Sequence, residues 1–205
     1  MAGPRKYIAV AGNIGAGKST LVDFLQYRFA LTPFPEPNAD NPFLPDFYGD
    51  MKRWAFHSQM FFLAHKFNIH QELSDHPGTV IQDRTIYEDA EVFAENLFRS
   101  RKMTQSEYDT YRALYSSIKK TLRPPDLMIY LRASVRTVRR RIRLRGRPEE
   151  QEIPLRYIHR LHDLYEEWFD RYNDSPTLVI QVDSLDYIQD LVDRIEIIET
   201  IQKYL

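Results

Sequence analysis

The sequence predicts an α/β fold in which a parallel sheet is covered by helices on both faces. Two observations carry this expectation. Short apolar runs bounded by turn or polar residues alternate with longer segments of helical periodicity, the pattern of strands joined by helical crossovers. The first apolar run also leads through a glycine-rich octapeptide directly into a helical segment, the order in which a strand, a phosphate-binding loop and a helix follow one another.

The elements follow in chain order. Tyr7–Ala11 reads as the first strand and Lys18–Phe29 as the first helix, with Leu21, Phe24, Leu25 and Phe29 on one face. Leu31–Phe34 is a weaker strand, spoiled by Pro33. Pro33, Pro35, Pro37, Pro42 and Pro45 lie close together, so this stretch is expected to be irregular and at the surface. Arg53–Ser74 is a long helix carrying Trp54, Phe56, Met60, Phe61, Leu63, Ala64 and Phe67. Thr79–Gln82 is a strand, followed by helices over Glu88–Ser100 and Ser106–Lys120. Pro124-Pro125 stops the second of these before the strand Leu127–Leu131. A helix over Val135–Arg145, a loop over Gly146–Ile153, a helix over Pro154–Asn173, a strand over Leu178–Val182 and a helix over Ser184–Tyr204 complete the chain.

Composition removes several classes of function. A chain of 205 residues is expected to form a single domain, 1–205, with a core that needs no staples. Its 28 Lys+Arg and 29 Asp+Glu give a net charge of −1, so it is no general polycation and no nucleic acid is expected as a partner. It has no cysteine, which excludes disulfides, thiolate zinc sites and cysteine nucleophiles. No apolar run approaches the roughly 20 residues of a membrane span, so no membrane is expected as a partner. The basic residues before Tyr7 precede a run too short for a signal peptide, and the expected compartment is the cytoplasm.

Gly12-Asn13-Ile14-Gly15-Ala16-Gly17-Lys18-Ser19, with Thr20 behind it, matches G-x-x-x-x-G-K-[ST] between a strand and a helix. Its glycines let backbone N–H groups converge on phosphate oxygens at a helix N-terminus. Lys18 is placed for the β- and γ-phosphates and Ser19 for Mg²⁺. A nucleoside triphosphate is therefore expected. Glu36 follows the second strand, where the carboxyl ends of neighbouring parallel strands converge on one crevice; a carboxylate there can take a proton from an attacking hydroxyl. Asp83-Arg84 closes the third strand, an acid near Mg²⁺ beside a cation for the transferring phosphoryl group. Arg136, Arg139, Arg140, Arg141, Arg143, Arg145 and Arg147 crowd one helix and the loop after it. Their position suits an arginine-rich lid, over about residues 141–153, that closes on the triphosphate and excludes water.

At these residues the chain resembles the deoxyribonucleoside kinases, and its bacterial deoxyadenosine and deoxyguanosine members most of all. The resemblance is carried by GNIGAGKST at 12–20, PEP at 35–37, Tyr48…Trp54…Gln59, DRTIYEDAEVFAENL at 83–97, DLMIYLRAS at 126–134 and RIRLRGRPEEQEIPLRY at 141–157. It implies a P-loop NTPase fold of the nucleoside and nucleotide kinase type, with a five-stranded parallel sheet, and a homodimer joined through bundled helices. It also implies transfer of the γ-phosphoryl group of ATP to the 5′-hydroxyl of a deoxyribonucleoside, with Mg²⁺, in nucleotide salvage.

The same resemblance makes Glu36 the general base, with Arg84 beside the 5′-oxygen and the transferred phosphate and Asp83 near Mg²⁺. It pairs Tyr48 with Glu150 on the sugar 3′-hydroxyl, sets Gln59 and Asp89 against the base, and makes Arg141, Arg145 and Arg147 the lid arginines. An amide carries both a donor and an acceptor, so Gln59 can pair with an adenine or cytosine edge. Two positions depart from the common pattern. Lys66 stands where many members have arginine, replacing a planar fork by a point donor in base recognition. Asn41 stands where animal members have tryptophan. Deoxyadenosine is the expected substrate, with deoxyguanosine or deoxycytidine secondary. A thymidylate-like nucleoside monophosphate kinase is the rival enzyme, with Arg84 on the acceptor's own phosphate. A non-catalytic NTP- or nucleic-acid-binding protein is a third reading.

Overall fold

The computed structural model describes residues 5–37, 41–151, 153–185 and 190–204. Strand β1 (Tyr7–Gly12) is buried along its whole length and lies at the centre of the sheet. Its neighbours are β3 (Val80–Asp83), with Tyr7 opposite Val80, and β4 (Leu127–Arg132), with Ile8 opposite Leu127. Outside them lie β2 (Thr32–Phe34), paired with β3, and β5 (Thr177–Gln181), paired with β4. Among the described residues the order is β2-β3-β1-β4-β5, and every pairing is parallel. The near-continuous apolar runs of β1 and β4 follow from this, because a central strand of such a sheet is covered on both faces. Pro33 is tolerated in β2 because β2 is an edge strand, where a missing N–H donor costs no ladder bond.

Helices α1 (Lys18–Phe29), α3 (Met51–Asp75), α6 (Gln105–Lys119), α7 (Val135–Arg145), α9 (Leu155–Arg171) and α10 (Leu191–Gln202) account for most of the cover. Each starts for a local reason where the sequence supplies one. Asp50 accepts from the Arg53 N–H at the head of α3. Thr104 and Glu107 form a reciprocal capping box on α6. Ser134 caps α7 and is itself held by Asp183 through its backbone N–H and its hydroxyl. A cap of this kind stabilises a helix by about 1 kcal/mol.

Four expectations are corrected. The proline-rich stretch is not uniformly irregular and exposed: Leu44–Phe47 forms a short helix, α2, with Pro45 in its first turn, and Pro37 and Asn41 are buried. Proline suits that turn because its missing N–H would have had no partner there. The helix expected over Glu88–Ser100 is three segments: α4 (Ile86–Glu88), a π-helical turn (Asp89–Ala94) and α5 (Glu95–Arg99). The loop expected over Gly146–Ile153 holds a short helix, α8 (Pro148–Gln151), after a left-handed Gly146 that ends α7. The last helix starts at Leu191, and Ser184 and Leu185 are not helical; the rest of the expected start, 186–189, lies outside the described residues.

Candidate active site

The carboxyl ends of β1 and β3 lie side by side, with Val10 opposite Asp83. A cavity of about 660 Å³ opens there, at the crevice where ligands bind in open α/β sheets.

The phosphate loop forms its floor. Gly12 has φ 152°, and a Cβ there would come within 3.0 Å of the Leu131 carbonyl oxygen. Gly15, at φ 74°, passes under α7, where a Cβ would come within 3.1 Å of Ile142. Gly17, at φ 103°, turns the chain into α1. Asn13 folds back to accept from the Ile14 N–H at 2.8 Å and to donate to the Ile158 carbonyl. Lys18 is buried and donates to the Asn13 carbonyl at 3.2 Å. Burial, and then the nearby Arg84 charge, lower its ammonium pKa from 10.5 to about 8. A bound anion would reverse that effect.

The metal expectation can be tested against the donors present. The Ser19 hydroxyl donates to Asp83 Oδ2 at 2.5 Å. Asp83 Oδ1 is buried with no hydrogen-bond partner among the described residues. A hydroxyl and a carboxylate with a spare buried oxygen fit Mg²⁺, which needs few protein ligands when phosphates and waters supply the rest.

Glu36 and Arg84 meet in the middle of the cavity, with Arg84 Nε 2.6 Å from Glu36 Oε1. Arg84 is held on three further sides. Its Nη1 donates to the Tyr165 hydroxyl at 3.0 Å, its guanidinium lies 4.4 Å over the Phe93 ring, and its backbone N–H donates to Val10. Its φ is +62°, the left-handed region, which costs a non-glycine residue roughly 1–2 kcal/mol. These contacts hold that conformation.

Tyr48, Gln59, Asp89 and Glu150 all line the same cavity. Burial, with Tyr157 and Glu150 nearby, pushes the Tyr48 phenol well above its ordinary pKa, so it stays a donor. Gln59 is 3% exposed, and its Oε1 has no hydrogen-bond partner among the described residues. Asp89 is buried, and that burial raises its carboxyl from 3.8 to about 6 despite the Lys66 charge beside it. Lys66 itself does not line the cavity. Its Nζ sits behind the wall, 3.0 Å from Asp89 Oδ1 and 3.6 Å from Glu36.

The seven arginines separate into three groups. Arg145 and Arg147 line the cavity, and both pair with Glu150: Arg145 Nε at 2.9 Å and Arg147 Nη1 at 3.4 Å. Arg141 does not line the cavity. It points back, donating to the carbonyls of Ala16 at 2.6 Å and Val182 at 2.9 Å, and so braces the phosphate loop. Arg136, Arg139, Arg140 and Arg143 face outward around a separate hollow with Leu144 and His159. Gly12, Asn13, Ala16, Gly17 and Thr20 also do not line the cavity; Thr20 is exposed.

Sequence reasoning missed Glu88, Tyr165, Phe93 and Ser58. Only Glu88 had a local signal, since Thr85-Ile86-Tyr87-Glu88 has the spacing of a capping box. Ser58 accepts from Asn41 Nδ2 at 3.0 Å beside Gln59, which gives the Asn41 departure a structural use.

A phosphate loop facing a carboxylate–arginine pair across one cavity defines a phosphoryl-transfer enzyme for small molecules. The deoxynucleoside kinase family model matches residues 8–205, and the chain belongs to that family. Deoxyadenosine/deoxycytidine kinase of Bacillus subtilis (strain 168) is 35% identical over 185 residues, 89% of this chain and 85% of that protein. Deoxyguanosine kinase of Lactobacillus acidophilus is 38% identical over 196 residues, 91% and 85% of the two chains. The structure of deoxyadenosine kinase from M. mycoides with bound dATP superposes with a TM-score of 0.84 at 30% identity, covering 97% of this chain and all of that one. This chain is accordingly an ATP-dependent phosphotransferase acting on deoxynucleosides. No helix among the described residues is long and apolar enough to cross a membrane.

Proposed function

We propose that the enzyme prefers deoxyadenosine, takes deoxycytidine second, and transfers the γ-phosphoryl group of ATP to the 5′-hydroxyl. The observation that carries this reading is the pairing of a free Gln59 acceptor with the Asp89 carboxylate in one cavity wall. Adenine and cytosine each present an amino group beside a ring nitrogen. Gln59 can donate to the nitrogen and accept one amino proton, and ionised Asp89 can accept the other. Guanine and thymine present a carbonyl at that position, which ionised Asp89 repels. Lys66 is committed to Asp89 and Glu36 and offers no donor to the cavity.

In this reading Glu36 takes the 5′-hydroxyl proton as general base. Arg84 has five N–H donors, of which one on Nη1 is given to the Tyr165 hydroxyl while Nε makes an ion pair with Glu36 without hydrogen-bond geometry, so others remain for the transferring phosphoryl oxygens. Lys18 and the loop amides hold the β- and γ-phosphates, and Ser19 and Asp83 would hold a Mg²⁺, which when bound would offset the phosphate charge. Tyr48 donates to the sugar 3′-hydroxyl and Glu150 accepts from it. Glu150 is engaged by Arg145 and Arg147, so those arginines reach the triphosphate as a lid, over about 141–153, by exchanging partners; Glu152 of that segment lies outside the described residues. A single domain, 1–205, working in the cytoplasm as a homodimer completes the reading. Light scattering tests the dimer, and the expected mass is twice that of the chain.

An ADP-release assay with ATP and Mg²⁺ tests the reading against deoxyadenosine, deoxycytidine, deoxyguanosine, thymidine and their monophosphates. Turnover led by deoxyadenosine is expected. Turnover only on a monophosphate would overturn the role given to Glu36.

A further inference from the structure

Glu88 lies behind the cavity wall, fully buried, and the phosphoryl-transfer chemistry described above makes no use of it. Its carboxylate pairs with no cation among the described residues. It accepts instead from four neutral donors. Oε1 accepts from the Gly12 N–H at 3.1 Å and from the Tyr165 hydroxyl at 2.9 Å. Oε2 accepts from the Thr85 N–H at 2.8 Å and the Thr85 hydroxyl at 3.3 Å. A buried carboxylate is costly unless its lone pairs are satisfied, and here they are. The donor set also explains why the residue is an acid. An amide has one acceptor oxygen and two N–H donors, so glutamine would set a donor against a donor.

Tyr165 fixes the direction of the chain of bonds. Its one proton goes to Glu88, so its oxygen must accept from Arg84 Nη1. Arg84 Nε in turn meets Glu36. One continuous chain of hydrogen bonds thus runs from the first amide of the phosphate loop, through Glu88 and Tyr165, to Arg84, and the Arg84–Glu36 ion pair links it to the carboxylate in the middle of the cavity. Glu88 grips Arg84 from the backbone side as well. Its bond to the Thr85 N–H closes the turn that follows the strained Arg84, and the π-helical turn that starts at Asp89 carries Asp89 and Phe93 into the same cavity.

We propose that Glu88 is a positioning residue which, through Tyr165, locks Arg84 and the phosphate loop into one unit, setting the acceptor hydroxyl and the triphosphate in register. The inference rests on the reading of Arg84 as the residue that meets the transferring phosphoryl group. Misplacement of reacting groups by about an ångström costs on the order of a hundredfold in rate, and that is the effect the chain prevents.

The test is a double-mutant cycle on Glu88→Gln and Tyr165→Phe, with Arg84→Lys alongside. kcat and the KM for ATP are measured on the best nucleoside, and thermal unfolding is followed in parallel. Tyr165→Phe removes one oxygen and keeps the ring stacked on Tyr130. It is expected to lower kcat about tenfold to a hundredfold with the KM for ATP unchanged. Glu88→Gln is expected to lower kcat by a similar factor, because its single acceptor oxygen serves only one of the two donor pairs and its NH2 faces the other. The double variant should fall no more than about twofold below Glu88→Gln, since both break one chain.

Additive losses, or wild-type kcat in Tyr165→Phe, would overturn the proposal. A merely structural role would lower the melting temperature and leave kcat per folded molecule intact, and that outcome overturns it too. If Glu88→Gln does not fold, Tyr165→Phe carries the test alone. Loss of kcat in Arg84→Lys with none in Tyr165→Phe sinks this inference only. Full kcat in Arg84→Lys sinks the reading of Arg84 on which it stands.

Discussion

The ammonium of Lys66 lies 3.0 and 2.9 Å from the two carboxylate oxygens of Asp89, behind the wall that Asp89 presents to the cavity. In the proposed reading the pair decides which charge the base meets. Burial raises the Asp89 carboxyl to about 6, and Lys66 opposes that rise. Above pH 6 Asp89 is an acceptor, which suits an amino group. Below it Asp89 gains a proton and can donate to a carbonyl. The ratio of kcat/KM for deoxyadenosine over deoxyguanosine should therefore fall as pH is lowered through about 6. Lys66→Met removes the opposing cation and should move that fall to higher pH, so that at pH 7 the ratio drops on the order of tenfold, the effect of one pKa unit. A ratio that is flat from pH 5 to 8 in both proteins would remove Asp89 as the discriminating group.

Glu36→Gln keeps the size of the side chain and one oxygen facing Arg84 but removes the proton acceptor. kcat on the preferred nucleoside should fall by about 10²–10⁴, the usual contribution of a general base. The KM for ATP should stay within about twofold, because in the proposed reading Glu36 acts on the acceptor hydroxyl while Lys18 and the loop amides hold the triphosphate. Steady-state kinetics with each substrate varied in turn separates the two parameters. A variant with near-normal kcat would transfer the base role elsewhere.

Lys18 gives a different pH signature. Burial and the Arg84 charge hold its ammonium at about 8 in the free enzyme. A triphosphate bound against it favours the charged form, so its pKa rises in the complex. Raising the pH through about 8 should therefore raise the KM for ATP severalfold while kcat at saturating ATP holds to a higher pH. An equal fall of kcat and kcat/KM across that range would point to another group. Lys18→Met should lose activity by at least a hundredfold at every pH, as expected for a lost charge at the developing phosphate oxygens.

The strands were legible because four of them are buried or half-buried apolar runs with abrupt polar ends, from Tyr7–Ala11 to Leu178–Val182. The phosphate loop was legible because Gly12, Gly15 and Gly17 each serve a local backbone geometry that sequence spacing records. The nearness of Glu36 to the phosphate loop was legible because parallel strands end on one side of the sheet, and its placement with Arg84 at one reacting oxygen came only from the family resemblance. The rest depends on direction, which spacing does not record. Arg141 and Arg145 are one helical turn apart, yet Arg141 reaches back to Ala16 while Arg145 reaches Glu150. Lys66 follows Gln59 by two turns of α3, but only Gln59 lines the cavity. The π-helical turn at Asp89–Ala94 shifts the helical register once, so periodicity alone read it as part of a continuous helix.

Stability should carry its own signature from His70. This ring is 2% exposed, packs edge-on against Tyr7 at 5.6 Å, and leaves Nε2 without a hydrogen-bond partner among the described residues. Burial lowers its pKa from 6.5 to about 4, against a hydrogen bond with the Arg123 backbone that raises it. The unfolded chain therefore binds a proton below pH 6.5 that the folded chain refuses until about pH 4. The stability present above 6.5 is lost as pH falls across that window, by on the order of 1 kcal/mol per pH unit. Asp89 works in the opposite sense. Its folded pKa of about 6 exceeds its unfolded value of 3.8, so the folded state takes up its proton first and gains stability as pH falls from 6 to 4. The two contributions offset each other in the wild type, and the informative quantity is the difference from a variant. His70→Phe keeps an edge-on ring against Tyr7 and removes the titration. Denaturant unfolding at pH 7, 6, 5 and 4 should show its stability rising relative to wild type at each step down. Parallel stability curves would mean that His70 takes its proton in the folded state as readily as in the unfolded one.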